Sequence, residues 1–73
     1  GWEVKQDYDK ARKLYEKAAD QDAPFAELRL GFIYKDGLGV SRDRQKAIYW
    51  LERAASKGED RAEAILARMK RRN

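Results

Sequence analysis

The sequence predicts an all-α fold: a helical-repeat solenoid (α/α superhelix) of about two 36-residue repeats, built from four antiparallel helices. Three observations carry this. A shift of 36 residues brings the chain into register with itself, pairing Gly1/Gly37, Val4/Val40, Asp7/Asp43, Lys10/Lys46, Ala11/Ala47, Glu16/Glu52, Ala18/Ala54, Ala19/Ala55, Ala26/Ala62, Glu27/Glu63 and Leu30/Leu66 as identities. A period between about 20 and 50 residues marks stacked units. Apolar residues recur at i, i+3, i+4 and i+7, and the stretch Leu30–Val40 reads as a helix end and a glycine-punctuated turn.

The first helix is predicted over about 7–21, where Ala11, Leu14, Tyr15, Ala18 and Ala19 form one apolar stripe. Asp7 and Asp9 suit its N-terminal end, where free N–H groups favour negative charge. Asp22 occupies the place of Gly58 one repeat later, and Asp tolerates a left-handed cap. Pro24 fits the first turn of the second helix, where a missing N–H costs nothing. That helix runs to about Lys35 and buries Ala26, Leu30, Ile33 and Tyr34. Gly37 and Gly39 supply the backbone freedom for a sharp reversal, Val40 closes the corner, and Ser41 reads as a turn or N-cap residue. A third helix over about 43–57 repeats the first with Ala47, Trp50, Leu51, Ala54 and Ala55. A fourth begins near Asp60 and carries Ala62, Ile65, Leu66 and Met69. The alanine pairs and Gly31 predict closely approaching helices, with Leu14, Tyr34 and Trp50 filling the remaining space.

Charged residues make up 41% of the chain and aromatic residues 11%, a balance that suits short amphipathic helices rather than disorder. The net charge of +4 is local: Arg68, Lys70, Arg71 and Arg72 lie in the last six residues, and the other 13 basic residues match 13 acidic ones. Cysteine is absent, which permits a reducing cytosol and a bacterial periplasm alike. No apolar run approaches the roughly 20 residues that span a bilayer.

The pattern Ala26, Leu30-Gly31, Tyr34, Gly37-x-Gly39-Val40, Asp43, Lys46-Ala47, Trp50, Ala54-Ala55 and Gly58 resembles the Sel-one-like repeat, a helix–turn–helix relative of the tetratricopeptide repeat. Tetratricopeptide units run at about 34 residues and lack the Gly-x-Gly-Val turn. On this resemblance residues 1–73 form one repeat domain. Residues 1–22 are the second half of a unit, 23–58 a complete unit, and 59–73 the first helix of a further unit or a C-terminal cap. Glu3, Asp22 and Ala67-Arg68-Met69-Lys70 depart from the pattern. Repeat arrays usually need about three units, so a piece of a longer protein is expected.

Chemistry has little to work with. The chain has no His, Cys or Thr, and Ser41 and Ser56 have no recognisable base beside them in sequence. Glu52, Glu59, Asp60 and Glu63 are spaced as solvated helix-face carboxylates, and Gly37-x-Gly39 lacks the strand and third glycine of a phosphate loop. No catalytic residue, cofactor site or metal site is expected.

The resemblance implies an adaptor or scaffold whose first helices line a concave, partner-binding surface. Phe25, Arg29, Phe32 and Asp36 share one helix face, and their 36-residue counterparts are Arg61, Ile65, Arg68 and Arg72. Aromatic residues flanked by arginines suit a protein or peptide with apolar and acidic residues. Packing of Phe25 and Phe32 against the first helix is the competing reading, and Trp2 is read as cover for the core. The weaker functional alternatives are nucleic-acid or polyanion binding through the basic C-terminal helix, and repeats that only support stacking in a longer array. Self-association through exposed repeat ends is a further expectation; no membrane contact is.

Overall fold

A computed structural model describes the backbone of residues 4–71 and the side chains of residues 8–71, so the expectations on Gly1, Trp2 and Arg72 lie outside the described residues. Four helices follow one another: α1 (Val4–Asp20), α2 (Pro24–Asp36), α3 (Arg44–Ser56) and α4 (Asp60–Arg71), with no strand among the described residues. Packing is sequential, α1 on α2, α2 on α3 and α3 on α4.

The turns obey the local chemistry. Asp22 and Gly58, one repeat apart, both take positive φ, 63° and 94°, and Pro24 opens α2. Gly37, at φ 69°, caps α2 by donating its N–H to the Ile33 carbonyl. Gly39, at φ 77°, lies so close to α1 that a Cβ would stand 2.8 Å from Tyr8 Cβ. Capping of α3 falls to Asp43, whose carboxylate accepts from the Lys46 N–H at 3.0 Å; Ser41 is an exposed turn residue.

α1 differs from its repeat counterpart. It takes in Val4, whereas Val40 stays in the turn before α3. Asp9 consequently sits inside the helix, where it pairs with Arg12 at 2.9 Å and Lys13 at 3.4 Å. Those two hydrogen bonds hold its carboxyl below the usual aspartate range.

Two apolar clusters form the core. Ala19, Ala26, Leu30, Ile33, Tyr34 and Ala47 make the first, with Tyr15, Val40 and Trp50 packed against it. Leu28, Leu51, Ala54, Ala62 and Leu66 make the second, flanked by Phe32 and Ile65. Leu28 was not on the predicted stripe of α2. It is fully buried because α2 packs on α1 and α3 together and so covers more than one side. Leu14, expected in the core, is 66% exposed. Its counterpart Trp50 is half-buried against the first cluster; α3 packs on both α2 and α4, whereas α1 packs chiefly on α2.

Glu27 is the one buried charge among the described core residues. Its Oε2 accepts from Arg53 Nε at 2.9 Å and from Lys57 Nζ at 2.8 Å, while Asp22 takes a second contact from Lys57 at 3.2 Å. The four side chains clasp the α1–α2 turn and α2 to the end of α3. Arg53 and Lys57 are both held more basic than usual, in each case first by the hydrogen bond to Glu27. Stability from a raised Lys57 is complete below its ordinary value of 10.5 and is lost as pH rises through the raised one. Thermal melts should therefore gain an alkaline loss only above pH 10.5, and Lys57→Met should remove it. The same alkaline slope in Lys57→Met would assign the loss to other groups.

Candidate protein-interaction site

The outward side of α2 exists because the helix buries Leu28, Leu30 and Ile33 and leaves Phe25, Arg29 and Asp36 exposed, with Phe32 half-buried between. Phe25 is 48% exposed. Its ring meets Tyr15 of α1 edge-on, with centroids 6.3 Å apart, and the Arg29 guanidinium lies 5.0 Å above its centre. That arrangement holds an aromatic face open while one edge is packed. Phe32 packs against the second cluster. Both phenylalanines therefore serve packing in part, and neither is enclosed.

Three open clefts border α2 among the described residues. The first, about 150 Å³, is lined by Tyr8, Ala11 and Tyr15 of α1, by Arg29, Phe32 and Ile33 of α2, and by Leu38. The second, about 240 Å³, lies between Phe32 and Lys35 of α2 and Ile65, Arg68 and Met69 of α4. The third, about 440 Å³, is lined by Lys35, Asp36, Arg42, Arg44 and Met69. Phe32 borders the first two, and Lys35 and Met69 border the last two, so the clefts form a continuous series.

The clefts gather five of the residues singled out from sequence: Arg29, Phe32, Asp36, Ile65 and Arg68. Phe25 and Arg61 line none of the three. Arg61 is turned to Glu59 instead, at 3.1 Å, an interaction that holds the Glu59 carboxyl below its usual range. Asp36 is paired with Lys35 at 2.9 Å.

Sequence reading passed over Tyr8, Leu38, Lys35, Arg42 and Arg44. Arg44 is tied in by a hydrogen bond from Nη2 to the Met69 carbonyl at 3.0 Å, which joins the start of α3 to the end of α4. The 36-residue shift could have found it, because Arg44 stands where Tyr8 stands one unit earlier. Arg42 and Lys35 carry no such signal.

The clefts use equivalent repeat positions with different chemistry. Tyr8, Arg29 and Phe32 line the first, and their 36-residue counterparts are Arg44 in the third and Ile65 and Arg68 in the second. No helix among the described residues is long and apolar enough to cross a membrane.

Residues 1–22 and 24–59 match the family model of the Sel1 repeat. Among curated proteins, chitin synthase regulatory factor 3 of Schizosaccharomyces pombe (strain 972 / ATCC 24843) is 40% identical over 67 residues, which cover 89% of this chain. The chain spans 7% of that relative's length. No solved structure matches it significantly.

Proposed function

Because the chain belongs to the Sel1 repeat family, we propose that it is a non-catalytic interaction module that docks a protein or peptide on the concave side lined by α2 and α4. Sel1 repeats generally mediate protein–protein interaction. The curated relative is named as a regulatory factor, and a module that acts by docking suits such a protein. In this reading residues 1–22, 23–58 and 59–73 are a half unit, a complete unit and the start of another.

The observation that carries the proposal is the set of neighbouring clefts with shared walls, in which half-buried Phe32 is shared by two of them. The first two clefts fall below the roughly 300–1,000 Å³ typical of small-molecule sites. They suit single side chains of a larger partner, and the arginines at their rims add charge selection.

Short peptides selected from a random displayed library provide the test. Arg29→Glu with Arg68→Glu should abolish their binding and leave helicity intact, because both residues are exposed. Retained affinity in a variant with wild-type circular dichroism would remove this side of the molecule as the docking site.

A further inference from the structure

The two grooves of the repeat pair are chemically unlike, and that difference selects a partner. The first is aromatic and apolar, from Tyr8, Ala11, Tyr15, Phe32, Ile33 and Leu38, with Arg29 as its single charge. Beyond Phe32 the lining turns cationic: Lys35, Arg42, Arg44 and Arg68 against Asp36 alone. Asp36 is already engaged by Lys35 at 2.9 Å. Among the described residues, Arg42 and Arg68 meet no carboxylate. Arg44 spends one of its five N–H donors on the Met69 carbonyl.

A cleft with an excess of cations over its one carboxylate favours an anion, and arginine suits carboxylates in particular through its planar fork. An aromatic cleft next to it favours an apolar side chain. Double-stranded nucleic acid, with its bases paired and stacked, would use the arginines and leave the groove of Tyr8, Tyr15 and Leu38 idle.

We propose that the site takes an acidic linear segment of a partner protein in one direction. An apolar or aromatic side chain seats in the α1–α2 groove, and carboxylates meet Arg42, Arg44 and Arg68. This rests on the docking function above and deepens it by naming the partner's chemistry and the spacing of its residues. Packed helix axes lie about 8–10 Å apart, which an extended segment crosses in about three residues at roughly 3.3 Å each. The acidic residues therefore follow or precede the apolar anchor by about three to four positions.

Random displayed peptides selected against the wild-type chain should show this spacing: an apolar or aromatic residue with Asp or Glu three to four positions away on one side. Selected peptides should lose about tenfold in affinity with Arg42→Glu plus Arg44→Glu. Selection repeated on that variant should exchange the acidic preference for a basic one and keep the apolar anchor. Arg42→Glu alone, which breaks no hydrogen bond or ion pair among the described residues, should give part of the loss if Arg44 proves needed for folding.

Peptides whose binding needs Phe32 and Arg29 but shows no acidic preference would overturn this inference and leave the docking site standing. Peptides indifferent to all these residues would overturn both. Tighter binding of a single-stranded oligonucleotide than of the selected peptides, lost in the same double variant, would make the site a polyanion site and overturn the peptide assignment.

Discussion

Gly31→Val is expected to destabilise the fold by about 1–3 kcal/mol through overpacking, a fall in melting temperature on the order of 10 °C for a domain of this size. A Cβ at Gly31 would stand 2.6 Å from both Cγ and Cδ2 of Leu51, and 3.5 Å from the Ala47 carbonyl oxygen. Leu51 is fully buried with Leu28, Ala54, Ala62 and Leu66, so it has no free space into which to rotate. The helices α2 and α3 must then part, and theirs is the most extensive interhelical contact of the fold. Alanine at the same place gains about 1 kcal/mol of helix propensity over glycine, which partly offsets its overlap. Gly31→Ala should therefore be milder than Gly31→Val, and adding Leu51→Ala should recover part of the crowding cost of either. Denaturant melts of the four variants check this. An unchanged midpoint in Gly31→Val would refute the close approach.

Glu27→Ala is the second large effect. Removing one partner of a buried ion pair costs about 3–5 kcal/mol when the other is left buried. Arg53 and Lys57 are only partly covered, with side chains 38% and 28% exposed, and can turn to water. The expected loss is accordingly smaller, about 2–3 kcal/mol. Glu63, the identical residue one repeat later, is exposed, and Glu63→Ala should change stability by less than about 0.5 kcal/mol. Urea titration of both variants decides the matter. Equal effects at the two positions would mean that the clasp around Glu27 does not hold α2 to α3.

The pair Glu27 and Glu63 also shows where sequence reading stops. Nothing local separates them: each follows an alanine and precedes a helical Leu at the same spacing. One is buried because Arg53 and Lys57 of α3 close over it, and the other meets solvent. Leu14 and Trp50 differ as well: periodicity places both on the apolar stripe, but Leu14 is exposed and Trp50 is half-buried against the first cluster. In the candidate site, Arg29, Phe32, Asp36, Ile65 and Arg68 were legible because they share one helical face of α2 or its repeat counterpart, although Phe25 and Arg61 share that face and line no cleft. Arg42 was not, since it joins the third cleft through the folding of the Gly37–Asp43 turn toward the end of α4, and Lys35 was not, since it lies beside the face that was read, three residues after Phe32.

The sequence by itself determined the repeat, the four helices, their order and the left-handed positions at Asp22, Gly37, Gly39 and Gly58. Those features depend on short-range sterics, hydrogen bonding and apolar spacing, all of which act within a few residues. Only the tertiary structure decided which members of equivalent pairs are buried and how two like grooves acquired unlike linings. Burial and cleft chemistry are set by whichever helix lies opposite, and that neighbour is a property of the packed chain rather than of any local stretch.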